Sequence, residues 1–362
     1  MLLPRNNEFS HIPFVPVTFL SLWRKYGVIL HRKNVKAMET DRLIPIFFSV
    51  NDAYVPYLAV ALNSIKTNAS ADYNYRIHIL NDDISAKNRR ALSRFSGRNF
   101  GVEFIPLSEK MKSIDGISRL ENHRFEAFAS LTIYFRLFIP TLFPQYEKAI
   151  YLDSDIVVPG DISKLWEVQL GDKLVGACAD YSIQHIAPFM HYIDTYVGVD
   201  HRRYVNSGVL LMNLKRLRQT DLAGRFMSWM EKYRFETVAP DQDYLNALCW
   251  NCIKYLDPCW DTMPSDAMPR IEAPQIIHFN LDSKPWLSEE GPYHDVFWEY
   301  AMCSGFEEEI RKRRNNFLKD SAMRDKYEKA IAGLVKLAAE LSGKKASFNS
   351  IISSRQEFRL CS

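Results

Sequence analysis

Short apolar runs alternate with segments of helical spacing in this chain, and that order restricts the folds it can adopt. Strand-like runs occupy residues 43–50, 75–80 and 101–106. Between them, residues 55–64 and 84–95 place apolar side chains three and four positions apart, as in helices packed on one face. This order predicts an α/β fold with a mostly parallel central sheet flanked by helices. Ligands of such sheets collect at the carboxyl ends of the strands.

An acidic segment follows a later apolar run. In KAIYLDSDIVV, residues 148–158, Asp153 and Asp155 come directly after the strand-like residues 149–152. Carboxylates set between hydrophobic runs are costly to bury unpaired, and a divalent cation at the strand end would remove that cost. Two alternatives are a solvated strand end and an aspartyl-phosphate phosphohydrolase, in which the first Asp attacks phosphorus and the second is the acid/base.

The composition is that of a globular protein with one large core. The 362 residues are 47% hydrophobic and 25% charged, and a net charge of +3 does not indicate a nucleic-acid partner. Cys249, Cys252 and Cys259 lack the second pair or nearby histidine that would complete a zinc site. We therefore expect unpaired thiols in a reducing cytosol.

Residues 1–40 differ from the rest in charge. No acidic residue occurs between Glu8 and Glu39, and basic residues are interleaved with aromatic and aliphatic ones. The segment is predicted to be a basic amphipathic arm that lies on an anionic membrane surface, with a disordered or core-docked arm as the alternative. Its apolar stretches are too short for a transmembrane helix. We expect a cytoplasmic protein, peripheral at the inner face of the membrane.

Further along, four segments have local patterns that predict structure or function. Residues 240–246, PDQDYLN, place Asp241, Gln242 and Asp243 at a helix start, where acids are favourable for capping alone. His278 lies in an apolar run, where a histidine is more often a satisfied core residue than a ligand. Residues 181–204 are predicted to form a variable loop or lid, and residues 124–143 an amphipathic helix that carries Arg136.

Taken in chain order, four segments resemble the retaining glycosyltransferases of family eight, which include bacterial lipopolysaccharide galactosyl- and glucosyltransferases and, more distantly, glycogenin. The four segments are FFSVNDAYVPYLAVALNSI, YLDSDIVV, YVNSGVLLMNLKRLR with PDQDYLN, and HFNLDSKPW. The resemblance covers residues 43 to 290 and implies a GT-A-type nucleotide-sugar-binding fold. It divides the chain into the arm, a catalytic domain at 41–300, and a helical C-terminal appendage with a tail at 301–362. It also disfavours the phosphohydrolase, because Gly171-Asp172 is followed by Gly176 where that class needs Asp.

The resemblance implies a metal site at the acidic strand. Asp153, Asp155 and His278 correspond to the family's metal ligands, and a mixed oxygen and imidazole set suits Mn²⁺, with Mg²⁺ as the alternative. Lys284 corresponds to the lysine that contacts the diphosphate. Leu281 stands where the family has Gly, a departure that puts the local phosphate loop in doubt.

The resemblance also implies the residues that bind the donor. Ser49, Asn51 and Tyr54 are expected to frame uridine, with Tyr54 stacked on uracil, although the family usually has Asp in place of Asn51. The other donor and catalytic positions are Arg136, Asp153, Ser154, Asp180, Asn206, Asp241, Gln242 and Lys284.

The implied activity is metal-dependent transfer of glucose or galactose from a UDP-sugar to a saccharide or lipid-linked glycan acceptor. Gln242 would lie nearest the reacting face of the anomeric carbon, and glutamine is a poor nucleophile. Front-face attack with retained configuration is therefore favoured over a covalent intermediate on Asp241 or Asp243. The departures at Asn51 and Leu281 leave a non-catalytic nucleotide-sugar or glycan-binding protein as a further alternative.

Overall fold

A seven-stranded mixed sheet forms the centre of the protein. The computed structural model describes residues 42–112, 128–265, 270–281 and 283–354. The strands of the sheet are β1 Leu43–Ser49, β2 Asn74–Asn81, β3 Phe100–Pro106, β4 Ala149–Leu152, β6 Val175–Ala177, β7 Val209–Met212 and β8 Ile253–Tyr255. Their order is β3-β2-β1-β4-β7-β6-β8. A second, two-stranded sheet pairs β5 Ile156–Val157 with β9 Ile277–His278.

The predicted mostly parallel sheet is confirmed, with one strand reversed. β1 pairs with β4, β2 with β3 and β6 with β8 in parallel, whereas β7 runs antiparallel to both β4 and β6. β7 therefore starts where β4 ends, at the register Leu152 to Val209. This reversal places the Asn206-Ser207-Gly208 turn, which precedes β7, next to the aspartates that follow β4.

Helices cover both faces of the sheet. They are α1 Val55–Asn68, α2 Ala86–Ser93, α3 Leu107–Met111, α4 Ile139–Leu142, α5 Ile162–Glu167, α6 Ala187–Tyr192, α7 Leu214–Gln219, α8 Leu222–Tyr233, α9 Pro240–Cys249, α10 His294–Met302, α11 Glu307–Lys319, α12 Ser321–Ser342 and α13 Phe348–Ser354. Short 3-10 helices span Asp52–Tyr54, Phe128–Phe138, His201–Arg203 and Pro258–Trp260, and a π-helical turn spans Ile193–Val197.

The central strands are apolar on both faces because each face is covered. Phe47, Tyr151 and Leu210 belong to one buried cluster, and their neighbours Ile46 and Leu211 belong to the other. Successive side chains of a strand point to opposite faces, so each strand contributes side chains to both buried clusters. This explains why the strands read as continuous hydrophobic runs rather than alternating ones.

One local prediction was wrong. The segment 181–204 is predicted to be a variable loop or lid, but it contains α6, the π-helical turn and the 3-10 helix at 201–203. Buried Phe189 and Tyr192 hold this segment against the core, a contact that its sequence spacing did not reveal. The Arg136 segment is helical as expected: Phe128–Phe138 is a 3-10 helix and Ile139–Leu142 an α-helix. β8 was not predicted, since it has only three residues.

Residues Ile44–Ser362 form one compact unit. The arm at 1–40 lies outside the described residues, and the domain boundaries stay predictions.

Cys178, Cys249, Cys259 and Cys303 are free, whereas Cys252 is disulfide-bonded, so the prediction of unpaired thiols is wrong at Cys252. Sequence spacing does not show which sulfurs a fold brings within bonding distance. Within the described ranges, none of the helices has the length and apolar character needed to cross a membrane.

Candidate active site

The structure brings Asp153, Asp155 and His278 together. Ile156 of β5 is in register with His278 of β9, and the Phe279 amide donates to the Asp155 carbonyl at 2.9 Å. The histidine Nε2 lies 3.4 Å from Asp155 Oδ1 and 3.9 Å from Asp153 Oδ2. One potential ligand atom from each residue lies within 4.8 Å of the others. Residues far apart in sequence therefore converge at the carboxyl end of β4.

A third acid orients the histidine. Asp261 is fully buried, and its Oδ1 lies 3.1 Å from His278 Nδ1. This contact directs the opposite nitrogen, Nε2, toward the two aspartates. Ligating histidines commonly bond a carboxylate through their other nitrogen, which fixes the ring and raises its basicity. Asp261 was not predicted from the sequence, because only the pairing of Thr262 with Ile277 places it beside β9.

Gly208 provides the space that these side chains occupy. A Cβ atom at this position would lie 2.3 Å from His278 Cε1 and 2.6 Å from Asp153 Oδ2, distances that real Cβ contacts do not show. The Gly208 carbonyl also accepts the Asp153 amide at 2.7 Å. The donor set and the missing side chain thus both suit a divalent cation held by Asp153, Asp155 and His278.

Lys284 pairs with one of the aspartates. Its Nζ contacts Asp155 Oδ2 and donates to the Phe279 carbonyl at 2.9 Å. Burial alone would raise the pKa of Asp155, but the charges of Lys284 and His278 outweigh it and hold that pKa well below its usual value. Asp155 therefore carries its negative charge at neutral pH, in the form that binds a cation.

Arg136 connects Asp153 to the start of α9. Its Nη2 donates to Asp153 Oδ1 at 3.1 Å, its Nε lies 2.8 Å from Asp241 Oδ2, and its Nη1 donates to the Ser207 carbonyl at 2.6 Å. The guanidinium also lies over the Tyr151 ring, at 4.3 Å from the centroid. One planar cation therefore fixes two acids and the turn before β7.

Asp180 is the centre of a second hydrogen-bond network. Its Oδ2 accepts Gln242 Nε2 at 2.8 Å and Asn206 Nδ2 at 3.1 Å. The Gln242 Oε1 accepts the Ser207 amide at 3.0 Å. Both ends of the glutamine amide are thus bonded, which fixes its orientation in the site. The structure thus brings together Asp180, Asn206 and Gln242, three of the positions that the resemblance assigns to the donor sugar.

The two acids that flank Gln242 have different surroundings. Asp241 bonds Ser207 and Arg136, and burial raises its pKa although Arg136 opposes the increase. Asp243 accepts the Tyr192 and Tyr204 hydroxyls at 2.8 and 2.6 Å, and burial raises its pKa to about 6. The fully buried Asp243 therefore not only lies in the first turn of α9 but also binds two tyrosine hydroxyls.

Apart from Lys284, the predicted site residues line two cavities that share Arg136, Asp153 and Asp155. One cavity, of 530 Å³, is lined by Ser49, Asn51, Tyr54 and Ser154 together with those three. The other, of 260 Å³, is lined by Asp180, Asn206, Asp241, Gln242 and His278 together with the same three. The expected nucleoside-binding residues thus lie on one side of the aspartates and the expected sugar-binding residues on the other.

The loop that contains Tyr54 is fixed at both ends. Asn51 Oδ1 accepts the Tyr54 amide at 3.2 Å, a contact that Asp in this position would also make. Arg313 of α11 donates to the Ala53 carbonyl. Tyr54 is 39% exposed, which leaves its ring accessible to a ligand.

Leu281 keeps a left-handed backbone with a φ of 46°. This is the conformation that glycine adopts most readily. The backbone here therefore keeps a glycine-like conformation although the residue is leucine.

Comparison with known proteins agrees with this geometry. The model of the family described as Glycosyl transferase family 8 matches residues 45–290, more than half of the chain. The chain belongs to glycosyl transferase family 8. A putative glycosyltransferase of Haemophilus influenzae is 29% identical over 227 residues, which are 61% of this chain and 64% of that protein. General stress protein A of Bacillus subtilis is 26% identical over 285 residues, 73% of this chain and 94% of that protein.

Solved structures of glycosyltransferases have the same fold. An active-site mutant of LgtC is 26% identical, with a TM-score of 0.57 over 72% of this chain and 96% of that one. The bifunctional glycosyltransferase WbbM has a TM-score of 0.63 at 24% identity, covering 75% of this chain and 52% of that one. The expected GT-A-type fold is confirmed. This chain covers less than two thirds of the length of both WbbM and the Haemophilus protein.

Proposed function

We propose that this chain is a metal-dependent, retaining hexosyltransferase that moves glucose or galactose from UDP to a saccharide or lipid-linked glycan, such as lipopolysaccharide. The convergence of Asp153, Asp155 and His278 next to Lys284 supports this most directly. It provides a cation site and a fixed positive charge where a nucleoside diphosphate can leave. LgtC, a galactosyltransferase solved with donor and acceptor sugar analogues, is similar in fold at 26% identity.

Asp153, Asp155 and His278 would hold Mn²⁺, or Mg²⁺, which supplies Lewis-acid stabilisation of the diphosphate charge. The Lys284 ammonium contributes a second positive charge. Lys284 lies against Asp155 and would turn toward the diphosphate as negative charge grows on it. Tyr54, which lines the 530 Å³ cavity together with Asn51 and the aspartates, would stack on uracil.

In the reaction, the bond between the anomeric carbon and the β-phosphate oxygen breaks, and a bond from the acceptor hydroxyl oxygen to the same carbon forms. The acceptor proton passes to the departing diphosphate. Asp180 and Gln242 hold each other rigidly, so they would orient the sugar through its hydroxyls. Arg136 neutralises Asp241, and tyrosine hydroxyls occupy both oxygens of Asp243. These contacts favour front-face attack over a covalent intermediate on either acid.

The deciding experiment is a hydrolysis and transfer screen of nucleotide sugars with Mn²⁺. We expect UDP release from UDP-glucose or UDP-galactose, a joint increase of Tm with UDP and Mn²⁺, and no release by Asp153→Ala with its fold intact. Binding without release across an acceptor panel would support a non-catalytic protein instead. Phosphate release from an aryl phosphate would support the phosphohydrolase.

Peripheral binding at the cytoplasmic face of a membrane belongs to the same proposal. Its sequence support is the basic arm at 1–40, together with Arg311 to Arg314 of α11. In the structure Arg311 and Arg313 already pair with Glu307 and Glu309, so most of the attraction would have to come from the arm. Sedimentation with anionic vesicles at low salt tests this directly, and its absence would indicate a protein that does not bind lipid.

A further inference from the structure

The turn between His278 and Lys284 contains a backbone conformation that its residue does not favour. Leu281 has a φ of 46°, in the left-handed region, where the Cβ atom of an L-residue crowds the backbone. His278 lies three residues before it and Lys284 three residues after it. A conformation of this kind persists only when the surrounding structure holds it, and relaxation here would move both functional side chains.

One contact that can hold this conformation comes from the C-terminal helices. The Tyr327 hydroxyl of α12 donates to the Leu281 carbonyl at 2.6 Å. The Tyr327 ring packs edge-on against Phe317 of α11, with centroids 5.9 Å apart and planes at 90°. The ring is thus placed by helix packing, and its hydroxyl fixes the direction of one peptide group in the turn.

A further hydrogen bond links the same turn to the Asp180 network. Asn280 Nδ2 donates to Ser182 Oγ at 3.0 Å, and Ser182 in turn bonds Asp180. Leu334, two turns further along α12 than Tyr327, lines the 260 Å³ cavity together with Leu281. The turn therefore lies between the Asp180 network and α12.

We propose that Tyr327 is a positioning residue, which holds Leu281 in the left-handed conformation so that Lys284 faces Asp155 and the donor diphosphate. The role rests on the proposed function, because it concerns the lysine of that donor site. It also assigns a task to the C-terminal helices, which extend beyond the residues matched by the family model.

The test combines two substitutions. One removes the Tyr327 hydroxyl, and the other replaces Leu281 by glycine, which adopts the left-handed conformation without a supporting contact. Tyr327→Phe keeps the ring against Phe317 but loses the hydrogen bond. In the natural background we expect the KM for UDP-sugar to increase about tenfold, as for loss of one buried hydrogen bond. In the Leu281→Gly background the same change should raise KM less than twofold, because glycine adopts this φ without support.

The control is Tyr73→Phe, which removes a surface hydroxyl bond to Glu167 at 2.8 Å and should leave KM unchanged. An equal increase of KM from Tyr327→Phe in both backgrounds would overturn the proposal, since it would show a general structural role. Unchanged KM in both backgrounds would also overturn it.

Hydrogen–deuterium exchange separates this proposal from the proposed function. The Phe279 amide bonds Asp155 and the Leu287 amide bonds Lys284, each at 2.9 Å. Both amides should exchange faster in Tyr327→Phe, and their protection should return in the double variant with Leu281→Gly. This result does not require turnover. Unaltered exchange in Tyr327→Phe would exclude the positioning role even if UDP-sugars are substrates, whereas absence of UDP release by the natural protein would contradict only the proposed function.

Discussion

His278 and Asp261 form a buried pair in which Nδ1 of the histidine lies 3.1 Å from Oδ1 of the aspartate. The histidine is 3% exposed and the aspartate fully buried, so water competes little for this contact. Because the pair occupies Nδ1, the nitrogen that faces Asp153 and Asp155 is Nε2. The geometry of the candidate metal site therefore depends on an acid that does not belong to it.

Replacement of Asp261 by Asn should weaken metal binding without removing a ligand. The amide keeps the size of the side chain but loses the charge that orients and polarises His278. We expect Mn²⁺ affinity, measured by calorimetric titration in the presence of UDP, to fall 10- to 100-fold, about the range found for such supporting contacts. The matched control, Asp257→Asn, changes an exposed cap of the nearby 3-10 helix and should retain full affinity. Equal affinity in Asp261→Asn would contradict this prediction.

Gly208→Ala should disrupt the same site by steric means. The added methyl would lie 2.6 Å from Asp153 Oδ2 and 2.3 Å from His278 Cε1, so at least one ligand must move. We expect loss of Mn²⁺-dependent turnover by about 100-fold or more, as for other small displacements of reacting groups. Gly333→Ala is the control, because its methyl meets nothing within 4 Å. Near-normal turnover in Gly208→Ala would show that the ligands do not need this space.

Arg136→Lys should reduce both activity and stability. A single ammonium cannot contact Asp153, Asp241 and the Ser207 carbonyl at once, as the guanidinium does. We expect kcat/KM to fall about 100-fold and the free energy of unfolding, from urea titration, to fall by about 1–3 kcal/mol. The exposed pair of Arg202 with Asp200 offers a control, and Arg202→Lys should leave the free energy of unfolding nearly unchanged, because water screens this pair. Similar effects of the two substitutions would refute the assigned role.

Asp243 should make stability depend on pH in one direction. Its pKa is raised to about 6, mainly by burial, while the Tyr192 and Tyr204 hydroxyls oppose the increase. The folded protein then binds a proton that the unfolded chain releases near pH 4. The resulting stabilisation is complete below that pH and is lost as pH rises through 6. Relative to Asp243→Asn, the natural protein should gain up to about 3 kcal/mol between pH 7 and pH 4. A constant difference between the two would disprove this.

The fold and the position of the acidic pair could be predicted because their signals are local. Apolar runs indicate buried strands whatever their partners, and the acids of Asp153 and Asp155 stand directly after one such run. His278 and Lys284 were placed only by resemblance, since an apolar run that contains a histidine is equally typical of a core strand. Their assembly with the aspartates depends on the pairing of β5 with β9, which joins segments far apart in sequence.

Residues whose role depends on tertiary contacts have no comparable local signal in the sequence. Asp261 lies between a tryptophan and a threonine in a stretch without helical or strand periodicity, and only the bridge of the neighbouring Thr262 to β9 brings it to His278. Tyr327 lies in a helix that reads as largely polar, where a tyrosine suggests nothing beyond packing. The short helices of 181–204 were missed because their burial comes from contacts with other segments of the core.

Arg313 and Tyr327 reach from consecutive helices to the Ala53 and Leu281 carbonyls, on the two loops that flank the aspartates. During synthesis, Asp153 and Asp155 are therefore made first, and His278 and Lys284 more than a hundred residues later. The helices α11 and α12, which contact the two loops, are made last. A polypeptide that ends at residue 290 would contain every proposed ligand but neither support. The proposed role of Tyr327 therefore predicts that premature termination yields protein with a poorly formed donor site, and that donor binding requires translation past Tyr327.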